Sequence, residues 1–143
     1  MTRTLTDVEG YVIHLSAYKD NDSMVTVYSS EGSVSFLARG IQKTTSKNAG
    51  SCQLLSYSRF SLEVGKSGGY SLKEGISLKP IDGRDNLERL TAFSFLAEIN
   101  SKLIQEDEVK EAYPWLKGSL DALEGNADPF SVSLIYFAHL LVI

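Results

Sequence analysis

Cysteine, histidine and tryptophan are scarce in this sequence. Its 143 residues include one cysteine, two histidines and one tryptophan. The single cysteine, Cys52, excludes an internal disulfide bond and a cysteine-rich zinc site within the chain. His14 and His139 stand in different halves with no partner at metal-ligand spacing, so both are predicted to be structural. We therefore expect no metal and no cofactor in this chain, with Cys52 as a small core residue.

Motifs of enzyme catalysis are missing as well. The acidic residues Asp20, Asp22 and 106–108 stand in polar turns, where exposed charge is the ordinary outcome. Residues 66–69, Lys-Ser-Gly-Gly, lack the residue order of a phosphate-binding P-loop. Cys52 has no histidine near it in the sequence. We therefore expect a protein that is not an enzyme and that has no catalytic residues.

Long hydrophobic runs are equally rare. Residues 1–5 contain no apolar core of signal-peptide length, and residues 134–143 are about half of the ~20 that a membrane span needs. A cytoplasmic, nucleoid-associated protein is expected. Residues 132–143 nevertheless have only Ser133 and His139 as polar positions, which predicts a helix apolar almost all round. We expect further chain to cover this helix, or self-association through it.

Positive charge is in short supply, with 14 Lys and Arg against 18 Asp and Glu and a net charge of −4. Residues 1–81 carry nine basic and seven acidic side chains, whereas residues 82–143 carry five basic and eleven acidic ones. Residues 32–62 contain basic side chains and no acid at all. This acid-free stretch is therefore the one candidate for a surface that binds a polyanion.

Alternation of polar and apolar residues predicts five short strands in the first 80 residues. Their approximate ranges are 8–15, 24–28, 33–39, 59–64 and 70–78. The residues expected to face the core in the third and fifth strands are Val34, Phe36, Ala38, Tyr70, Leu72, Ile76 and Leu78. Five strands of this length cannot form two full sheets, so a closed barrel is predicted.

A helical period replaces the alternation after residue 80. The first helix is predicted over 85–104, with Asp85 as its N-cap. Pro114 suits the first position of a second helix, because that position needs no amide donor. A third helix is predicted over 128–143, opening at Asp-Pro. The expected fold class is α+β: a five-stranded β-barrel domain in 1–80 followed by an α-helical segment in 81–143.

A small barrel with a basic face can bind a single nucleic-acid strand through cationic side chains and aromatic rings that stack on bases. Arg39 alternates with the inward Phe36 and Ala38, and Arg59 with Phe60, so both arginines are expected on the exterior. The candidate nucleic-acid-binding residues are Arg39, Lys43, Lys47, Arg59, Tyr28 and Tyr57. The alternative is that these are ordinary solubilising charges and tyrosines at strand ends.

Several segments, in their order and spacing, resemble the RecO family along nearly the whole chain. They are residues 9–13, 22–28, 32–40 and 85–90 and the pair Asp128-Pro129. The family's Ala-basic-Gly segment corresponds to Arg39, and its basic loop to Lys43 and Lys47, whereas Arg59 comes from alternation alone. Family members are usually longer and often carry a Cys-x-x-Cys zinc ribbon, which this chain lacks. Its helical segment is therefore expected to be incomplete.

The resemblance implies an OB-fold and a role in recombinational DNA repair. It implies binding of single- and double-stranded DNA, annealing of complementary strands, and help in loading RecA together with RecR on SSB-coated DNA. A second interpretation is a protein-interaction module, in which the OB-fold docks RecR or SSB and DNA contact is weak. These two functions stay open at the level of the sequence.

Overall fold

The computed structural model describes residues 5–19, 21–40, 51–65, 68–79, 87–124 and 128–141. Its strands are β1 (Leu5–Ala17), β2 (Ser23–Ser29), β3 (Gly32–Ala38), β4 (Tyr57–Val64) and β5 (Tyr70–Lys79). Its helices are α1 (Leu87–Leu103), α2 (Val109–Glu124) and α3 (Pro129–Leu140), with a 3-10 turn at Glu106–Glu108 before α2. The predicted α+β class, strands first and helices second, is confirmed.

The five strands close into a barrel in the order β1-β2-β3-β5-β4. The long β1 pairs with β4 over residues 5–11 and with β2 over residues 11–17, antiparallel in both cases. The start of β5 runs parallel to β3, at Phe36–Tyr70 and Leu37–Ser71. A five-stranded barrel of this order is an OB-fold, so the predicted barrel type is confirmed as well.

The barrel core is built from the inward side chains of the strands together with Cys52. Its fully enclosed members are Val12, Val25, Val27, Phe36, Ala38, Cys52, Phe60 and Leu62. The rings of Phe36 and Phe60 meet with centroids 5.0 Å apart and planes tilted by 49°. Cys52 is 2% exposed, which confirms its predicted place in the core.

The alternation predicted for β5 is wrong in its second half. Ile76 and Leu78 are 51% and 42% exposed rather than inward. The pairing of β5 with β4 skips Lys73, which is a β-bulge of one residue. Because side chains alternate with a period of two, one extra residue reverses which of the following side chains face the core. Tyr70, at the open start of the strand, is also 38% exposed.

Two helices differ from the sequence prediction, α2 at its first residue and α3 at its last. Pro114 lies inside α2 rather than at its first position, because the helix already begins at Val109, a residue only 1% exposed. The α3 helix opens at Asp128-Pro129 as predicted but ends at Leu140. Residues 142–143 and the predicted N-cap Asp85 lie outside the described residues.

A buried hydrogen-bond pair joins α1 to α3. The Tyr136 hydroxyl donates to Asn100 Oδ1 at 2.6 Å, and Asn100 Nδ2 donates to the Leu96 carbonyl at 2.7 Å. Both polar side chains are fully buried, and these bonds offset the cost of removing them from water. On the neighbouring face, the single tryptophan, Trp115 of α2, stacks on His139 of α3 with centroids 3.7 Å apart.

The chain divides into two compact units. One comprises Met1–Ser29 and Val34–Pro80, and the other comprises Ile81–Ile143 together with the turn Ser30–Ser33. Among the described residues, no helix is both long and apolar enough to cross a membrane.

Candidate nucleic-acid interface

Arg39 follows directly after the end of β3 and is exposed. The chain turns behind it at Gly40, whose φ of 65° is a conformation that suits glycine. The Gly40 N–H donates to Asp22 Oδ1 at 2.6 Å, which ties this turn to the loop between β1 and β2. Within the described part of the chain, Arg39 has no ion-pair or hydrogen-bond partner. Its guanidinium is therefore available to an anion from solvent.

Arg59 is on the exterior as well, but it is already engaged. Its Nη2 lies 3.3 Å from Glu9 Oε2 across the β1–β4 pair, with both side chains about half exposed. Its strand, β4, is separated from β3 by β5 on one side and by β1 and β2 on the other. The structure therefore does not bring Arg59 and Arg39 together on neighbouring strands.

The two tyrosines proposed as stacking groups are not free rings. Tyr28 is 4% exposed, and burial raises the pKa of its hydroxyl to about 12. Tyr57 is half-buried, with its ring 4.9 Å from that of Tyr11 and its hydroxyl donating to Glu9 Oε1 at 3.4 Å. Tyr28 therefore presents almost no ring surface to a base in this conformation, and Tyr57 presents only part of its ring.

The loop lysines of the predicted site, Lys43 and Lys47, lie outside the described residues. Two other residues, Tyr18 and Lys19, lie in a segment that the sequence interpretation treated only as a polar turn. Tyr18 is 56% exposed, and Lys19 Nζ lies 5.6 Å from the centroid of its ring. An aromatic next to a basic residue in a turn was the available signal, since apolar rings are seldom placed in turns for packing.

Groups with chemical reactivity are either buried or isolated. Burial raises the pKa of the Cys52 thiol to about 11, although a hydrogen bond with Ser51 lowers it slightly. His14 is exposed on β1, and His139 is half-buried against Trp115. In the described ranges, no three His, Cys, Asp or Glu side chains are grouped as metal ligands.

A separate apolar groove of about 600 Å³ lies within the helical unit, between α1 and α3. Leu87 and Phe95 line it from α1, and Phe130, Leu134 and Phe137 line it from α3. The exposed fractions of Leu87 and Phe130 are 77% and 71%. Two acids, Glu88 and Asp128, also line the groove, each next to the first residue of its helix.

Comparison with known families identifies the chain. Residues 1–93 match the family model described as Recombination protein O N terminal. The chain belongs to the RecO family. The matched RecO region comprises the whole barrel and the beginning of α1.

Individual RecO proteins align over nearly all of this chain. The DNA repair protein RecO of Bacillus mycoides is 34% identical over 140 residues, and that of Bacillus cytotoxicus is 33% identical over 140 residues. Each alignment covers 94% of this chain and 55% of the relative. The chain thus spans about half the length of the curated relatives it matches.

A solved structure, the asparaginyl-tRNA synthetase of Pyrococcus horikoshii, is similar to 81% of this chain and 32% of its own. The sequences are 11% identical and the TM-score is 0.43. A likeness at that level carries no argument about function.

Proposed function

We propose that this chain is a DNA-binding module of recombinational repair, which holds single-stranded DNA, and also duplex DNA, against one end of its OB-fold. Family membership supports the repair role, since its relatives are named DNA repair proteins. The observation that carries the binding site is Arg39, exposed at the end of β3 and without a partner among the described residues. OB-folds bind oligonucleotides on the face that contains this strand.

The experiment replaces Arg39 and Lys43 by glutamate and measures binding of labelled oligo-dT at several salt concentrations. Phosphate contacts carry no sequence information, so affinity should fall regardless of base sequence. If about three phosphates are neutralised in the unaltered protein, log K should fall with log salt at a slope near −2, at ~0.7 per phosphate for single strands.

The matched control is Lys110→Glu with Lys117→Glu, which makes the same charge change on exposed positions of α2. At physiological ionic strength it should leave oligo-dT binding within about twofold, because neither lysine belongs to the proposed site and long-range effects of charge are then largely screened. Binding that is insensitive to salt, or equally weakened in both double variants, contradicts the assignment of the site.

Arg59 needs a separate test because Glu9 already neutralises it. Arg59→Gln combined with Glu9→Gln should change oligo-dT affinity little, since the pair Arg59–Glu9 presents no net charge to phosphate and neither does its neutral replacement. An effect as large as that of the Arg39 replacement would restore Arg59 to the binding surface.

Annealing of complementary strands and cooperation with RecR, SSB and RecA are proposed on the family resemblance. An OB-fold that instead mainly docks RecR or SSB is the alternative function. The two functions are distinguished by adding purified RecR or SSB to the chain and measuring both partner binding and the binding of labelled oligo-dT. The Arg39/Lys43 double variant should lose DNA binding and keep any partner complex if the DNA function is correct, whereas weak DNA binding with a stable partner complex supports the alternative.

The groove in the helical unit supports one further proposal, self-association of this chain through α1 and α3. The exposed apolar side chains that line the groove are Leu87, Phe95, Phe130 and Leu134. At roughly 100 Å² each they present on the order of 400 Å², about half of the ~800 Å² per partner of a standard interface, so a weak dimer that depends on concentration is expected. In a dimer with two-fold symmetry, the second copy contributes the same surface to the interface.

Sedimentation velocity over a range of protein concentrations tests this proposal. Added salt should strengthen the dimer, because it screens repulsion between the acids Glu88 and Asp128 of the two copies. Leu134→Glu should keep the chain monomeric, and Ser94→Glu, exposed on α1 outside the groove, should not. A wild-type chain that stays monomeric at every concentration refutes self-association.

A further inference from the structure

We propose that Tyr18 and Lys19, in the turn between β1 and β2, form a stacking platform for one base of single-stranded DNA beside Arg39. The inference rests on the proposed DNA-binding function and assigns the stacking group of that site. It takes the place of Tyr28, which is only 4% exposed.

The turn that carries Tyr18 is held in shape by its own backbone. The Tyr18 N–H donates to the Asp22 carbonyl at 2.9 Å, and the Asp22 N–H donates to the Lys19 carbonyl at 2.8 Å. Two bonds across so short a loop fix the direction in which residues 18 and 19 project. A ring in a fixed position loses less conformational freedom when a base binds than a ring on a mobile loop.

The same turn is linked to Arg39. Asp22 Oδ1 accepts a hydrogen bond of 2.6 Å from the N–H of Gly40, the residue after Arg39. The last residue of β1, Ala17, pairs with Ser23 at the start of β2, so the turn and the end of β3 lie at one end of the barrel. Tyr18, Lys19 and Arg39 therefore belong to one surface.

The exposure of Tyr18 has no explanation in the packing of the barrel. At 56% it is the most exposed aromatic residue in the described part of the barrel unit, while Tyr11, Tyr28 and Phe60 are almost completely buried. An exposed tyrosine ring leaves apolar surface in contact with water, which is unfavourable for the stability of the fold. The same ring offers a face on which any base can stack.

Lys19 adds charge at the position where a nucleotide needs it. Its ammonium lies 5.6 Å from the centroid of the Tyr18 ring, close enough for a cation–π contact that orients the ring. A nucleotide that stacks on Tyr18 brings its phosphate into the same region, where Lys19 and Arg39 supply two cations. The combination of ring and cations matches a single strand, whose bases are unpaired and accessible.

Duplex DNA distinguishes stacking from simple attraction. In a duplex the bases already stack on each other and cannot reach Tyr18, whereas the phosphates remain accessible to Lys19 and Arg39. Removal of the ring should therefore weaken binding of single strands and leave duplex binding unchanged. Removal of a cation should weaken both.

The test compares Tyr18→Ala, Tyr18→Phe and Lys19→Ala with the wild-type chain, using labelled oligo-dT and a duplex of mixed sequence. Tyr18→Ala should weaken oligo-dT binding about tenfold, as expected for the loss of one base–aromatic stack, and Tyr18→Phe should retain wild-type affinity. Lys19→Ala should reduce the salt slope by ~0.7, equivalent to one phosphate. Trp115→Ala, which removes a 47% exposed aromatic from α2 outside the groove, is the control and should bind as wild type.

The outcomes distinguish failure of the DNA-binding function from failure of the Tyr18 platform. If the wild-type chain binds no DNA, the proposed function fails. If it binds in a salt-dependent way and Tyr18→Ala binds oligo-dT as tightly as wild type, the function stands and the platform is refuted. Equal losses for oligo-dT and duplex in Tyr18→Ala, with an unchanged melting temperature, also refute stacking. Failure of Tyr18→Phe to bind would overturn it too, since the phenyl ring stacks equally well.

Discussion

Gly10 lies where β1 changes its pairing partner from β4 to β2, and the barrel leaves no room for a side chain at this position. A Cβ at this position would collide with the Tyr28 carbonyl oxygen and lie 2.8 Å from Val27 Cγ1. Both neighbours belong to β2, whose backbone cannot move without breaking its pairing with β1. The absence of a side chain is therefore a condition of the closed barrel.

The Gly10→Ala variant should lose about 2–3 kcal/mol of unfolding free energy, as expected for overpacking against a rigid backbone. Gly118→Ala is the matched comparison, because Gly118 lies within α2 with nothing inside 4 Å of its added Cβ. That variant should gain about 0.5–1 kcal/mol, the difference in helix propensity between the two residues. Urea unfolding of both measures the contrast, and a neutral Gly10→Ala would show that β2 yields.

Single residues were predictable from the sequence where a short-range pattern decides their environment. Phe36, Ala38 and Phe60 are buried as alternation requires, and Cys52 is buried as its chemistry suggests. The burial of Tyr28 was not predictable, because alternation tells which side of a strand a residue occupies but not which distant residues cover it. The accessibility of Tyr18 depends on a loop closed by backbone bonds, which no sequence pattern specifies.

Among the elements, α3 has the clearest start signal. The Ser131 hydroxyl and backbone N–H donate to Asp128 Oδ2 at 2.7 and 3.0 Å, with Pro129 at the first helical position. These bonds hold the pKa of Asp128 below its ordinary 3.8. A carboxyl with a depressed pKa stabilises the fold above pH 3.8 and loses that contribution as the pH falls through its lower folded-state value.

Two replacements of Asp128 separate capping from charge. Asp128→Ala should lower the melting temperature at neutral pH by a few degrees, because the first N–H groups of α3 lose their acceptor. Asp128→Asn should keep most of the stability, since asparagine caps equally well, and should remove the part of the acid-induced loss that this carboxyl causes. Thermal melts followed by circular dichroism between pH 2 and 7 provide the measurement. Equal destabilisation by both replacements would assign the effect to charge rather than to the cap.

Element order and type were predictable because strand and helix periods differ, whereas their details depend on neighbours in space. The skipped Lys73 in β5 arises from pairing with β4, and only that pairing places Ile76 and Leu78 outside. Pro114 lies inside α2 because Val109 and Ala112 already bury their side chains one turn earlier. Such interactions override the local preference of proline for a first turn.

At the scale of the whole molecule, charge is divided between the halves of the chain, with the acidic excess in residues 82–143. If the barrel binds DNA, this excess opposes the approach of phosphate through long-range repulsion. Asp107→Asn with Glu111→Gln, both exposed, should therefore raise oligo-dT affinity about twofold at low salt. The gain should vanish at physiological ionic strength, where the Debye length is ~8 Å. A gain that persists at high salt would indicate direct contact with the DNA.

The stack of Trp115 on His139 has a practical consequence for optical work on this protein. The chain has one tryptophan, and it lies in the helical unit, 47% exposed and in contact with an imidazole from α3. Emission excited at the red edge of the absorption band therefore reports on α2 and α3 alone, because residues 1–80 contain no tryptophan. Loss of this signal during heating, compared with the strand signal in circular dichroism, would reveal whether the two units melt together or one after the other.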